Sequence, residues 1–564
     1  MTTYVPPRPW IDSYAAGVPD DLLPVDGSLV DIVETSAREH PDAPALEFFG
    51  RVTAYRELAE QIDRAAEGLR AIGVRAGDPV AIVLPNCPQH VVAFYAILRL
   101  GAVVVEHNPL YTPRELRVQF GDHGARTVVA WSRTVRTIQG FPADVRPDRI
   151  VSVDLTEAMP LTTRLALRLP IRRAREGRAA LTERVTGAVP WSRLVAHGRI
   201  AESAARPRTD DLAIIQYTSG TTGTLKGAAL THRNLLANAA QARAWVPSIT
   251  RGPGCVVYAV LPMFHAYGLT LCLTFAMSMA ARLVLFPRFD PDMVLAVARR
   301  DPATFLPLVP PIADRLLKRA KEKGVSLAGT RIAISGAMAL PHELVVPFEA
   351  ATGGYLVEGY GLSECSPVLM ANPVADSRVP GTVGLPLPGT ECRVVDPDEP
   401  TRDVEPGGPG ELLVRGPQVF SGYYGKPEET AAVFVEGGWF RTGDIVTIDE
   451  AGFVRIVDRI KELIITGGFN VSPTEVESVL TQNPRIAEAA VVGLPDPRSG
   501  EQVVAAVVLA PGVTDFDPEA VRAYTRGILT PYKVPRRIVV VDELPKSLIG
   551  KVQRRLVRES LQKA

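Results

Sequence analysis

The string Tyr217-Thr218-Ser219-Gly220-Thr221-Thr222-Gly223-Thr224-Leu225-Lys226-Gly227 concentrates residue types that bind phosphate. Its glycines let the backbone approach a polyanion and turn tightly. Five hydroxyl side chains, on Thr218, Ser219, Thr221, Thr222 and Thr224, can donate to phosphate oxygens, and Lys226 adds a point charge. Successive N–H groups in such a loop form an anion-binding concavity. It is not a Walker loop, which needs Gly, four residues, then Gly-Lys and a hydroxyl residue. Here Leu225 precedes Lys226 and Gly227 follows it. The plain alternative is a polar turn without a ligand, and the density of hydroxyls argues against it.

Six further strings follow downstream. They are Leu261-Pro262-Met263-Phe264-His265-Ala266-Tyr267-Gly268, Ile334-Ser335-Gly336-Ala337-Met338-Ala339, Glu358-Gly359-Tyr360-Gly361-Leu362-Ser363-Glu364, Gly438-Trp439-Phe440-Arg441-Thr442-Gly443-Asp444, Asp458-Arg459-Ile460-Lys461-Glu462-Leu463-Ile464 and Leu544-Pro545-Lys546-Ser547-Leu548-Ile549-Gly550-Lys551. Each has a bland reading by itself. His265 is then a structural histidine, Asp444 a turn residue, Glu364 an exposed charge and Lys551 a solvated tail lysine. Their order and spacing tell against that.

Taken together, the strings between 217 and 551 resemble the motifs of the adenylate-forming superfamily. That superfamily includes acyl-CoA synthetases, aryl-CoA ligases, luciferases and peptide-synthetase adenylation domains. The stretches 358–367, 458–477 and 530–551 look most like its bacterial long-chain fatty acid–CoA ligases. The resemblance implies an ATP-dependent acid–thiol ligase that forms an acyl-adenylate and then an acyl-CoA thioester, with ATP, Mg2+ and coenzyme A as its small molecules. Thr218, Ser219, Gly220, Thr221, Thr222, Gly223 and Lys226 would take the phosphates, and Thr218 with Glu364 would hold Mg2+, a hard cation that prefers oxygen. His265 would sit where the substrate carboxylate meets ATP. Gly336 and Ala337 would lie against adenine, and Tyr360, within Glu358-Gly359-Tyr360-Gly361, would stack on it. Ser363 stands where the family usually has Thr, and its hydroxyl would contact the α-phosphate. Asp444 would bind the ribose and Arg459 would reach ATP. Lys461 would be the pivot of a mobile C-terminal domain, and the turn at Gly467 and Gly468 would approach the pantetheine of CoA. Lys551 would be the catalytic lysine; Lys546 is a neighbour with no catalytic role. A medium-chain or aryl acid, or a fatty acyl-AMP ligase that loads a carrier protein, stays open. So does a non-catalytic nucleotide- or acyl-binding protein, although the presence of both Glu364 and Lys551 speaks against it.

The elements that must carry these residues show in the hydrophobic pattern. Tyr55, Leu58, Ala59, Ile62, Ala66, Leu69 and Ile72 recur at helical spacing, and Gly73 is placed to end that helix. Short apolar runs at 80–84, 102–105, 127–130, 149–153 and 212–215 read as strands, and 90–100 as a helix. Such alternation predicts layered α/β structure with mostly parallel sheet. The Gly- and Pro-rich region 381–425 reads as a small β-rich, barrel-like unit. From 453 onward, across the change of pattern at 458, short strands at 453–457, 462–465, 487–492, 503–509 and 538–541 alternate with helices. One of these opens with the capping box Ser472-Pro473-Thr474-Glu475. The expectation is therefore an N-terminal AMP- and acyl-binding domain over 1–458 and a small mobile α+β domain over 459–564.

The chain of 564 residues balances 62 Lys and Arg against 62 Asp and Glu, which gives no general reason to bind nucleic acid. Cys87, Cys255, Cys272, Cys365 and Cys392 form no CxxC pair, so a reducing, cytoplasmic setting is expected rather than a disulfide framework or zinc site. The start of the chain lacks the pattern of a signal peptide. The apolar stretch 269–286 carries Thr270, Thr274, Ser278 and Arg282 and reads as buried globular structure rather than a membrane span. Apolar segments after His265 and at 305–312 are either walls of an acyl tunnel or plain core. The stretch 161–178 sets Arg164, Arg168, Arg172, Arg173, Arg175 and Arg178 among leucines. It is either a surface for peripheral contact with the inner face of a membrane or a solvated insertion. A monomer and a homodimer are both compatible with the resemblance.

Overall fold

The computed structural model describes residues 8–218, 225–466, 469–496, 500–547 and 550–563. The chain divides into two compact units. One comprises Ser13–Thr390 and Gly416–Ala432; the other comprises Met1–Asp12, Glu391–Arg415 and Val433–Ala564.

The first unit is built on two sheets. The seven-stranded sheet runs, in spatial order, Val189–Pro190, Arg149–Val153, Thr127–Trp131, Pro79–Val83, Val103–Glu106, Leu212–Thr218 and Lys226–Thr231. Its pairings are parallel until the last, where Leu212–Thr218 and Lys226–Thr231 run antiparallel. The nine-stranded sheet has a parallel centre of Tyr355–Gly361, Ile332–Ser335, Phe305–Leu308, Val256–Ala259, Arg282–Leu285 and Pro44–Phe48. Its margins, Arg51–Ala54 on one side and Val368–Ala371 with Leu385–Pro386 on the other, are antiparallel. Central parallel strands covered on both faces read as continuous apolar runs, which is how these appear in the sequence.

Most expected elements fall within a residue or two of the observed ones, while three strands run longer than read: 212–215 is Leu212–Thr218, 487–492 is Ile486–Asp496 and 503–509 is Gly500–Leu509. The helix read from Tyr55 to Ile72 is Tyr55–Ala71, and Gly73 takes a left-handed φ of 99°. Helix Pro88–Arg99 is buried along its whole length and touches strands Pro44–Phe48, Pro79–Val83 and Val103–Glu106, so it packs between the two sheets. A helix apolar all round belongs inside. The stretch 269–286 folds as a π-helical turn Leu269–Thr274, helix Phe275–Ser278 and strand Arg282–Leu285. Among the described residues, no helix is long and apolar enough to cross a membrane.

The second unit contains two five-stranded sheets. The antiparallel one holds Glu391–Val395, Gly410–Arg415, Phe434–Val435, Trp439–Ile448 and Val454–Arg459. The mixed one holds Ile464–Thr466, Phe469–Val471, Ile486–Asp496, Gly500–Leu509 and Arg537–Val540. The capping box is half made. Ser472 Oγ accepts from Glu475 N at 3.1 Å. The Glu475 carboxylate accepts from Lys533 Nζ at 2.7 Å, because that long-range cation competes with the local backbone donor.

Candidate active site

The phosphate string spans the end of one strand and the start of the antiparallel strand paired with it. Thr218 ends one strand, Lys226 begins the next, and the two are register partners. A Walker loop opens a helix; this one joins two antiparallel strands, so the pattern difference in the sequence reflects a different scaffold. Ser219, Gly220, Thr221, Thr222 and Gly223 lie outside the described residues. The hairpin base is anchored by Tyr217, whose hydroxyl donates to Asp122 Oδ2 at 2.8 Å. Lys426 Nζ meets Asp122 Oδ1 at 3.1 Å.

Lys226 projects its ammonium 5.0 Å from the ring centroid of Tyr423, a cation–π contact. The Tyr423 hydroxyl donates to Glu364 Oε1 at 2.9 Å. Burial, and then the Glu364 charge, push the Tyr423 phenol far above its ordinary range, so it stays a donor. Tyr423 thus stands between the loop cation and the expected metal-side carboxylate. Nothing in the sequence motifs pointed to it. The chain brings it there by folding back: Tyr424 N donates to Gly227 O at 2.8 Å and Ala229 N to Gly422 O at 3.0 Å. Phe420 N donates to Glu364 O at 2.8 Å.

Glu364 lies in a short 3-10 turn, Ser363–Cys365, that follows strand Tyr355–Gly361. This strand places Glu358, Gly359, Tyr360 and Gly361. Gly361 is required by space, since a Cβ there would stand 1.9 Å from Pro367 O. Tyr360 is buried. Glu358 lines a small cavity with Leu340, His342 and Arg378. Burial pushes its carboxyl up to about 7, partly offset by the Leu340 N–H. Gly336 and Ala337 follow strand Ile332–Ser335, and Ala337 adopts a left-handed φ of 65°. That conformation is costly for a residue with a Cβ and is typical of sites the surrounding structure holds in place.

His265 sits at the mouth of the irregular segment after strand Val256–Ala259. Its Nδ1 accepts from Tyr267 N at 3.4 Å. That leaves the ring proton on Nε2. Burial lowers its proton affinity, which favours the neutral ring. The Tyr267 hydroxyl reaches Ile334 O at 2.7 Å and Leu308 O at 3.2 Å. The His265 turn is thereby tied to the strand that leads to Gly336. Gly268 closes the turn; a Cβ there would meet Pro262 O at 2.1 Å. Thr218, Lys226, His265, Gly336, Ala337, Glu358 and Glu364 therefore all lie in the first unit.

Asp444, Arg459, Lys461 and Lys551 belong to the second unit. Asp444 is buried on strand Trp439–Ile448, opposite Arg459 in register, and its N–H donates to Thr442 Oγ1 at 3.1 Å. The turn before it is held by buried Glu411. This carboxylate accepts from Arg441 Nε at 2.9 Å and from Gly443 N at 3.2 Å. Arg459 closes strand Val454–Arg459 and Lys461 lies in the 3-10 turn Ile460–Glu462; their side chains lie outside the description. Gly467 and Gly468 fall outside the described residues. Lys551 is held through its backbone to Ser547, with Lys551 N donating to Ser547 Oγ at 3.2 Å and Ser547 N to Lys551 O at 2.7 Å. Lys546 is engaged with Glu488 at 2.6 Å, in keeping with a structural lysine. Three residues beyond Lys551, Arg554 pairs with Glu477 at 2.5 Å and with Glu462, joining the Lys551 segment to the turn that contains Lys461.

The donor set suits a magnesium–nucleotide. Glu364 and Thr218 offer hard oxygen ligands. Among the described residues, no cluster of three or more His, Cys, Asp or Glu stands ready to hold a metal ion. The phosphates would then supply much of the coordination, as is usual for Mg2+.

Comparison with known proteins agrees. Residues 33–424 match the family described as AMP-binding enzyme, and 475–551 match the AMP-binding enzyme C-terminal domain. A long-chain-fatty-acid–CoA ligase of Bacillus subtilis is 36% identical over 561 residues, covering 98% of each chain. One from Escherichia coli is 37% identical over 558 residues, again covering 98% of each. The crystal structure of ATP-bound MatB from Rhodopseudomonas palustris superposes with a TM-score of 0.79 at 31% identity, covering 95% of this chain and 99% of that one. With family matches over most of its length and full-length relatives above 30% identity, the chain belongs to the AMP-binding enzymes of the adenylate-forming superfamily.

Proposed function

We propose that the protein couples a long-chain fatty acid to coenzyme A at the expense of ATP. The observation that carries this reading is the cluster at the hairpin base, where Lys226, Tyr423 and Glu364 set a cation, a phenol and a carboxylate in contact beside the phosphate loop. The acyl class is taken from the names of the full-length relatives.

A carboxylate is a poor acyl donor because its oxygen is a poor leaving group. In the first half-reaction a carboxylate oxygen attacks the α-phosphorus, the bond to the bridging oxygen breaks and pyrophosphate leaves. In the second, the CoA thiolate attacks the acyl carbonyl, the C–O bond to AMP breaks and the thioester forms. Lys226, the loop hydroxyls and Lys551 stabilise the charge that builds on phosphoryl oxygens, a preorganised electrostatic contribution. Neutral His265, with its proton on Nε2, is a donor suited to orient the acid's carboxylate without removing charge from it. Asp444 accepts from the ribose hydroxyls, and Tyr360 with Gly336 and Ala337 flanks adenine. Mg2+ held by Glu364 and Thr218 would neutralise charge on the leaving pyrophosphate. Residues 459–564 then turn about Lys461, withdraw Lys551 and bring the Gly467–Gly468 turn to CoA; a few hinge residues suffice for such motion.

The protein works in the cytoplasm and meets its substrate at an anionic membrane surface. Supporting this, Leu161, Leu165, Leu169 and Ile171 are 51–72% exposed on the arginine-rich segment. The test mixes enzyme, Mg-ATP and acids of C8 to C18 chain length plus aryl acids, with and without CoA, and measures AMP and thioester. CoA-dependent thioester with long chains supports the reading. A preference for aryl acids, or acyl-adenylate that CoA does not discharge, overturns it. Flotation with phosphatidylglycerol vesicles but not with phosphatidylcholine vesicles supports the membrane contact, and its loss on replacing Leu165 and Leu169 with Ser locates it.

A further inference from the structure

Residues 260–264, which lead to His265, form no regular element. Backbone groups in such a segment need partners when buried. Two amide side chains from the other sheet of the same unit supply them. Asn86, buried just beyond strand Pro79–Val83, donates through Nδ2 to Ala259 O at 2.9 Å and Leu261 O at 2.7 Å. Its Oδ1 accepts from Met263 N at 2.8 Å. Gln216, buried on strand Leu212–Thr218, donates through Nε2 to Phe264 O at 3.0 Å. Its Oε1 is buried without a hydrogen-bond partner.

The strand that carries Gln216 is braced in turn. In register beside it is buried Glu106, whose Oε1 meets His90 Nε2 at 3.0 Å. Gln216 also stands two residues before Thr218, at the root of the phosphate hairpin. The His265 ring is oriented locally by one long bond, from Tyr267 N at 3.4 Å. Its place in space is therefore set by the backbone frame that Asn86 and Gln216 hold.

We propose that Asn86 and Gln216 are positioning residues for the acid-activating step, fixing where His265 meets the substrate carboxylate, with Gln216 tying that place to the phosphate hairpin. The proposal rests on the reading of His265 as the acid-side residue. Neither amide reaches the reacting atoms through its observed bonds; both act through the backbone at 259–264. Their loss should therefore weaken acid handling selectively and leave nucleotide handling largely as it was.

The test is steady-state kinetics of the full-length protein with palmitate, or with the acid of the panel that turns over fastest. Gln216→Met keeps the shape and removes the donor. Asn86→Asp keeps the acceptor for Met263 N and removes both donors. His265→Ala is the benchmark. The expected result is a rise of about fivefold or more in the KM for acid in both amide variants, with the KM for Mg-ATP within about twofold, read on protein shown to be folded at the assay temperature, because each variant leaves buried carbonyls unpaired and lowers the unfolding midpoint. His265→Ala should raise the KM for acid further. If His265→Ala does so while the amide variants leave it unchanged, or raise both KM values alike, the positioning role is overturned and His265 keeps its own. If His265→Ala leaves the KM for acid unchanged, the reading of His265 fails and the positioning role with it. Should Asn86→Asp not fold, Gln216→Met decides.

Discussion

Glu358 holds its proton up to about 7, against 4.5 for an ordinary glutamate, because burial disfavours the charged carboxylate. The folded chain then retains a proton that the unfolded chain releases. This contribution to stability is complete below about 4.5 and is lost as pH rises through about 7. Glu358→Gln removes the ionisation, so the variant should gain on the parent by roughly 1–3 kcal/mol between pH 5 and pH 8, read by denaturant unfolding. Parallel stability curves would contradict the assignment. Tyr423→Phe removes a hydrogen bond to a carboxylate, worth about 1.5–3 kcal/mol. The KM for Mg-ATP should rise severalfold while the fold is kept. The motif strings made Lys226 and Glu364 legible, because their residue types and order carry the chemistry. Tyr423 was not legible. It sits in a Gly- and Pro-rich stretch, and only the return of 416–432 to the first unit brings it between them.

The helix Tyr55–Ala71 was read well from the periodicity of its buried face, and strands Pro79–Val83 and Arg149–Val153, buried on both faces, from continuous apolar runs. Two kinds of feature were not. Antiparallel pairing of Leu212–Thr218 with Lys226–Thr231 leaves no period that distinguishes it from strand then helix, yet it decides how the phosphate loop is presented. Long-range ion pairs are also silent in sequence. Lys533 draws Glu475 away from its capping role, and Arg554 gathers Glu462 and Glu477 from other elements. Glu477 is largely buried, and its N–H partner Val491 remains when Arg554 is removed. Arg554→Ala should therefore cost about 3 kcal/mol in urea unfolding, the range for breaking a buried pair. A loss below about 0.5 kcal/mol, as for an exposed pair, would show that the cluster is solvated.

The two compact units group strands Glu391–Val395 and Gly410–Arg415 with the carboxy-terminal part of the chain. The functional break proposed at 458 and 459 is instead a statement about motion, and its evidence is the resemblance of 458–464 to a hinge. Lys461→Pro fixes φ and should slow full turnover more than adenylate formation alone. Equal rates to the parent in both half-reactions would remove Lys461 from the hinge. Layered α/β architecture and the order of the site strings were legible along the whole chain, because each string is local. How distant strings meet was not, because that depends on sheet order, which places Ile332–Ser335 beside Tyr355–Gly361 and Val103–Glu106 beside Leu212–Thr218.

The division of labour between the two half-reactions is settled by one variant. Lys551→Ala is assayed for pyrophosphate release from ATP and acid, and separately for thioester formation from supplied acyl-adenylate and CoA. The expected result is loss of the first activity by about a hundredfold or more, as for removal of a group that stabilises transition-state charge, with the second largely intact. Comparable losses in both would contradict a lysine that serves adenylation alone and withdraws before CoA attacks.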